Sequence, residues 1–293
     1  MFVQRASTGV GRAAASLFLA AAMFLPTAAC AGFESLFAPS ADLWDRWETH
    51  DAASVETVDH TAWDGLLMTH IMPGRDGLNR FAYGRVTGED RAALDGYIAA
   101  LAGVRVSALN RGEQLAYWIN LYNALTVQVV LDHYPVDSIR DIDISPGLFT
   151  DGPWDKELVE IEGEALTLND IEHRILRPIW MDPRIHYAVN CASIGCPNLQ
   201  TKAFTGDNVE TLLDAGAHAY VNTARGARFE DGQLIVSSIY AWFQEDFGGS
   251  DAGVIAHLKR YAAPELREAL DGVTEIFDFR YDWDLNDALD TLG

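Results

Sequence analysis

The stretch "SALNRGEQLAYWINLYNALTVQVVLDHYP" (residues 107–135) decides the fold class. At 100° per residue, Glu113, Ala116, Asn120, Asn123 and Val127 fall along one side of a helix. Leu115, Trp118, Ile119, Tyr122, Leu125 and Val129 cover much of the remainder. A helix that is apolar nearly all round belongs inside a protein. Asn110 is placed to cap its N-terminus, with Glu113 three residues on at capping-box spacing, and Pro135 ends it. Asn120 and Asn123 are then buried amides, which cost about 1–3 kcal/mol each if left without hydrogen bonds. Either they lock the helix to a neighbouring loop, or they line a polar cleft and orient a substrate or a histidine.

On the N-terminal side, "DRAALDGYIAALAGV" (90–104) has helical spacing, and residues 32–62 read as a helical or irregular entry segment. On the C-terminal side, "KELVEIEGEALTL" (156–168) alternates about Gly163 and predicts a hairpin. "TLNDIEHRILRPIW" (167–180) predicts a helix capped by Thr167. "RIHYAVN" (184–190) reads as a β-like run after Pro183, and "NVETLLDAGAHAYVNT" (208–223) as a helix. "GQLIVSSIYAWF" (232–243) is a strand running into a helical turn, and "AGVIAHLKRYA" (252–262) is helical. "GVTEIFDFRYDWDLND" (272–287) is a strand-like aromatic tail. Long helices and short strands mix without regular βα alternation. The expectation is one compact α+β domain with helices packed on a small mixed or antiparallel sheet. A cysteine-peptidase or transglutaminase-like arrangement is one form this could take.

The chain has 293 residues and 49% apolar content, ample for a core. Residues 1–31 have the organisation of an export signal: Arg5 and Arg12, the apolar run "AAASLFLAAAMFL" (13–25), and small residues before a cleavage site after Ala31. The division expected is a signal peptide (1–31), an N-terminal extension (32–74) and the α+β domain (75–293). Export implies a periplasmic or secreted protein. "TAAC" (27–30) offers a lipoprotein alternative with a lipid anchor at Cys30. No later segment is long and apolar enough to span a membrane. The formal net charge of −22 repels phosphate backbones and excludes nucleic acid as a partner.

"RIHYAVNCASIGCPNL" (184–199) concentrates the chemistry. Cys191 and Cys196 are the cysteines that remain after cleavage at Ala31, so in an oxidising compartment they could form a disulfide. The spacing of His186, Cys191 and Cys196 matches no strong zinc signature, and neither a metal nor a cofactor is expected. The third reading is a thiol nucleophile at Cys191, with a lowered pKa if a helix begins there. His186 would be its base, but five residues of regular strand or helix would keep the two apart, so the chain must bend between them. Otherwise the base is His173 or another histidine. Glu113, Asn120 or Asp246 would orient the base, and Asn190 or nearby N–H groups would form an oxyanion site. Asp170, Arg174 and Arg177 share a helix face beside His173, as ion pairs of an acidic chain or as an anchor for an anionic group.

"YWINLYNALTV" (117–127), "LNDIEHRILR" (168–177), "DPRIHYAVNCASIGCPNL" (182–199), "SSIYAWFQEDF" (237–247) and the closing "YDWDLND" (281–287) together resemble the DUF547 family, a domain of unknown function found in exported bacterial proteins and in plant proteins. The resemblance covers roughly residues 75–287. The family pattern matches at Asn120, Tyr122, Asn123, Glu172, His173, Arg177, Arg184, His186, Asn190, Cys191, Cys196, Pro197, Asp246 and Phe247, and the resemblance implies that the helix amides and the His–Cys segment belong to one constellation. It implies no reaction. The expected function is therefore a cysteine-nucleophile hydrolase or acyltransferase acting on an amide or ester in a peptide, cell-wall or protein substrate. Catalysis would fall to Cys191, His186, Glu113 and Asp246. Substrate binding would fall to Asn120, Tyr122, Asn123, His173, Arg177, Arg184 and Asn190. The alternative is a non-catalytic envelope module, for binding or scaffolding, with a Cys191–Cys196 disulfide.

Overall fold

The computed structural model describes residues 38–147 and 152–288. The expected signal peptide and the acylation site at Cys30 lie outside these residues. A 3₁₀ turn (Asp45–Glu48) leads to α1 (Thr61–His70) and the antiparallel hairpin β1 (Ile71–Pro73)–β2 (Asn79–Phe81). Next come α2 (Gly88–Ala102) and α3 (Arg111–His133). The β3 (Val159–Ile161)–β4 (Glu164–Leu166) hairpin turns at Glu162 and Gly163, both at positive φ. A π-helical stretch (Asp170–Leu176) runs into α4 (Arg177–Trp180), and a 3₁₀ turn (Pro183–Tyr187) precedes α5 (Val209–Val221). The chain finishes with β5 (Ala227–Glu230), β6 (Gln233–Ser237), α6 (Ile239–Trp242), α7 (Asp251–Tyr261), α8 (Pro264–Ala269) and β7 (Asp278–Arg280). β6 is antiparallel to β5 and parallel to β7, with α7 and α8 in the crossover. This is an α+β fold with small sheets.

α3 forms where its caps and apolar surface dictate. Asn110 Oδ1 accepts the Glu113 N–H at 3.0 Å, and the helix is buried almost throughout its length. The capping box is only half formed, because the Glu113 carboxylate turns away to the N–H groups of Val58 and Gly206, each at 2.8 Å. The Thr167 box is complete: Thr167 Oγ1 accepts the Asp170 N–H, and Asp170 Oδ2 accepts the Thr167 N–H. The entry segment packs into the same core as α3, with Trp47 edge-on to Trp118 at 5.0 Å. The division expected at residue 74 falls inside the β1–β2 hairpin, whose strands pair across it.

Two hydrophobic cores form. One surrounds α3, and the other gathers Tyr220, Tyr240, Phe247, Val254 and Leu258 beneath α5 and α7. Residues 185–189 run between them: Ile185, Ala188 and Val189 belong to the first and Tyr187 to the second. The β-like run expected over 184–190 is not a strand but the 3₁₀ turn followed by irregular chain. Side chains occupy the backbone groups that a strand partner would take. Asp182 Oδ1 accepts the Arg184 N–H, and the Asn123 carboxamide takes both the Ala188 carbonyl and the Asn190 N–H. No helix begins at Cys191. Among the described residues no helix is long and apolar enough to cross a membrane.

Candidate functional site

After Asn190 the chain reverses sharply. Ala192 sits at φ 58°, left-handed for a residue with a Cβ, which costs roughly 1–2 kcal/mol. Asn190 holds it there: its Oδ1 accepts the Ala192 N–H at 2.9 Å and its Nδ2 donates to the Pro197 carbonyl at 2.6 Å, closing the loop. The reversal brings Cys196 Sγ to 2.9 Å from Cys191 Sγ, and the Cys191 N–H donates to Cys196 Sγ. Both cysteines are free. Cys191 is partly exposed and Cys196 is 3% exposed.

The C-terminal segment then straps across this turn. Ile194 N–H donates to Asp284 O and Gly195 N–H to Asp282 O, both at 2.8 Å, while Asn286 N–H donates to Ala192 O. Gly195 permits the approach, since a Cβ there would meet the Asp282 nitrogen at 2.8 Å and oxygen at 2.9 Å. The strap delivers Tyr281, whose hydroxyl lies 2.9 Å from Cys191 Sγ and accepts from Ser193 Oγ at 2.9 Å. Ser193 Oγ is itself 3.3 Å from Cys191 Sγ. Burial pushes the Cys191 thiol up, but hydrogen bonds from Cys196, Ser193 and Tyr281 outweigh it and hold its pKa below the ordinary thiol value. Burial and the neighbouring Cys191 push Cys196 far above that value. The two shifts run in opposite directions, so of the pair Cys191 is the thiol that loses its proton more readily.

His186 is organised differently. Its Nε2 lies 2.7 Å from Asp246 Oδ2 and its Nδ1 3.7 Å from Glu172 Oε1, and the ring stacks on Phe243 at 4.5 Å. Arg177 Nε donates to the same Asp246 oxygen at 2.6 Å, and its Nη1 faces His173 Nδ1 at 3.1 Å. Burial alone would raise Asp246, yet His186 and Arg177 bring it down to about 2. Burial likewise raises Glu172, and His173, His186 and Arg177 overcome it to leave the carboxyl at about 2. Burial lowers His186, but Asp246 and Glu172 more than restore its proton. His173 is depressed to about 4 by burial, so it stays neutral and accepts from Arg177. Nε2 of His186 is thus taken up by Asp246, while Nδ1 faces Glu172 across 3.7 Å. No hydrogen bond joins His186 to Cys191, the contact that its expected role as base calls for. Asp246 does reach His186, as its expected orienting role requires, but as a partner in a neutralised ion cluster.

The other expected residues divide between the two regions. Asn123 and Asn190 shape the thiol turn. Tyr122 lies buried beside Glu172 and the two thiols, which, after burial itself, raise its phenol far above the ordinary value. Asn120 and Glu113 serve elsewhere. Asn120 pairs with both backbone groups of Phe204, and Glu113 holds Val58 and Gly206. Neither orients His186. Arg184 is bound by Asp182, Glu210 and Asp214, tying its turn to α5 instead of presenting a free cation. The oxyanion donors expected near Cys191 already have partners: the Asn190 amide in Pro197 O, and the N–H groups of Cys191 and Ala192 in Cys196 Sγ and Asn190 Oδ1. Among the described residues no group of three or more His, Cys, Asp or Glu is arranged to hold a metal ion.

Tyr281, Ser193 and Arg225 went unmarked as site residues in the sequence. The signal for Tyr281 was the "YDWDLND" motif itself, whose aromatics at 281 and 283 alternate with exposed acids at 282 and 284. Ser193 stood inside the quoted turn. Arg225 carried no signal.

No curated protein and no solved structure matches the chain. Residues 106–221 match a family model described as a protein of unknown function, DUF547. The match spans α3 to α5 and includes both cysteines, whereas Arg225, Asp246 and Tyr281 lie beyond it, so it is shorter than the resemblance over 75–287. Over residues 106–221 the chain is thus similar to the DUF547 family.

Proposed function

We propose that the protein is a thiol catalyst in which Cys191 is the nucleophile and Cys196 the resolving thiol, acting on disulfides in peptide or protein substrates. The observation that carries this reading is the asymmetry of the pair. Cys191 is partly exposed and its hydrogen bonds lower its thiol pKa, while its neighbour at 2.9 Å is buried and has its pKa pushed far up. Cys191 S⁻ attacks one sulfur of a substrate disulfide, forming a mixed disulfide and expelling the other sulfur as a thiolate. That thiolate takes up a proton. Cys196 gives its proton to solvent, attacks Cys191 Sγ and expels the second substrate thiolate. The substrate disulfide is reduced to two thiols as Cys191 and Cys196 become a disulfide, and the reverse sequence oxidises a substrate dithiol. Export, expected from residues 1–31, would place such substrates within reach.

Acyl transfer at Cys191, on an amide or ester, is the rival chemistry. It has less support, because it needs a proton source for the leaving group and donors for an oxyanion, and the nearby N–H groups and both His186 nitrogens already have partners.

The test incubates a peptide disulfide with Cys196→Ser and with Cys191→Ser, followed by mass spectrometry without reductant. The expected result is a stable mixed disulfide on Cys191 in the first variant and none in the second. A turning-over acyl adduct on Cys191 from an activated ester, with no mixed disulfide, would replace exchange by acyl transfer. No adduct of either kind would leave the non-catalytic module.

A further inference from the structure

We infer that Arg225 is the positioning residue for the resolving thiol, through its hydrogen bonds to the Ile194 and Cys196 carbonyls and to Asn198. This rests on the reading of Cys191 and Cys196 as an exchanging pair. Arg225 follows α5, just ahead of β5. Its Nη1 donates to Ile194 O at 2.9 Å and to Cys196 O at 2.5 Å, and its Nη2 donates to Asn198 Oδ1 at 2.5 Å. The guanidinium lies 5.3 Å from the Tyr220 ring, and Tyr220 O–H donates to Gly195 O at 2.7 Å. The carbonyls of three consecutive residues, 194 to 196, are thus held from one side. The strap holds the Ile194 and Gly195 N–H groups from the other.

Among the described residues Arg225 makes no ion pair with a carboxylate, although it is partly buried. Burial works against its charge, and Tyr220 and Cys196 are the foremost groups that offset it. A guanidinium fork bonded to carbonyls fixes a turn in a way that a single ammonium cannot. Its charge also favours the anion that Cys196 becomes when it attacks. Both effects act on the second step of exchange. The first step belongs to Cys191, which Arg225 does not touch.

The experiment follows an aromatic disulfide that releases a coloured thiolate, mixed with the full chain and with Arg225→Gln and Arg225→Lys. Two thiolates leave in sequence, the first on attack by Cys191 and the second on resolution by Cys196. In Arg225→Gln the first phase stays within about twofold and the second slows by about tenfold or more, since small misplacements cost intramolecular reactions heavily. Arg225→Lys keeps the charge without the fork and recovers part of the second phase. Melting temperatures of both variants report folding separately. Equal slowing of both phases, or an unchanged second phase in folded Arg225→Gln, overturns the assignment of Arg225 while leaving the exchange reading standing. Absence of a second phase in the unsubstituted protein overturns both.

Discussion

His186 and Cys191 stand five residues apart in one segment, yet their surroundings are opposites. Around His186 every charge is matched: Glu172 and Asp246 face His186 and Arg177, and the ring is clamped by Phe243 and Phe247. Around Cys191 the groups are hydroxyls and a second thiol, and the residue is partly exposed. The first region is a closed set of ion pairs, which has more to lose by being broken than it gains by existing. The second stabilises one protonation state of one atom.

That contrast is open to attack first at Asp246. Asp246→Ala leaves Arg177 and His186 buried beside one another, and a loss of about 3–5 kcal/mol in urea unfolding at neutral pH is expected. Alkylation of Cys191 in the folded fraction should hardly change. If reactivity collapses while stability holds, the two regions are a single catalytic unit. The same variant alters the acid limb. Glu172 and Asp246 are held at about 2, so their contribution is complete above the unfolded values near 4 and is lost as pH falls toward 2. His173, neutral down to about 4, adds a loss between about 6.5 and 4. His186, raised, contributes fully below about 6.5 and less as pH rises through its folded value. Stability against pH should therefore fall less steeply below pH 4 in Asp246→Ala.

Asn123→Ala comes next. It removes the partners of the Ala188 carbonyl and the Asn190 N–H, at about 1–3 kcal/mol for each orphaned buried group. A combined loss of about 2–3 kcal/mol is expected, because water entering the space left by the amide offsets part of it. Unlike Asp246→Ala, this variant should also slow Cys191 alkylation, since Asn123 sets the start of the thiol turn. Tyr281→Phe tests the thiolate directly. Loss of one charge-assisted hydrogen bond should raise the Cys191 pKa by roughly one unit, about 1.4 kcal/mol, and slow alkylation at pH 7 by up to about tenfold. In the unsubstituted protein the midpoint of the alkylation-against-pH curve should lie below that of an ordinary thiol, about 8.5. The smallest effect is expected from Ser193→Ala, roughly a twofold slowing, since the serine has one hydrogen to divide between Tyr281 and the sulfur.

Legibility in the sequence followed the range of the interactions concerned. α3, its Asn110 cap and its stop before Pro135 were readable because cap and apolar periodicity sit within a few residues of each other. The Gly163 hairpin and the Thr167–Asp170 box were readable for the same reason. The run at 184–190 misled, because alternation predicts a strand only if a neighbouring strand supplies the ladder, and here the Asn123 carboxamide takes those backbone groups. Asn120 and Asn123, three residues apart on one helix face, looked alike but went to different loops, at Phe204 and at Ala188–Asn190.

Taken alone, the sequence determined the long buried helix, the approximate bounds of several other helices, the placement of two cysteines in one short loop and a resemblance that a family model matches over residues 106–221. These depend on propensity, capping and spacing, which act over a few residues. The tertiary structure decided which thiol has the lower pKa, that His186 is held by Asp246 and faces Glu172, and that Tyr281 and Arg225 bond to the thiol turn. A thiol's proton is governed by whichever groups stand within about 3 Å of it. Tyr281 reaches that distance from 90 residues away because Gly195 lets the C-terminal strap lie against the turn.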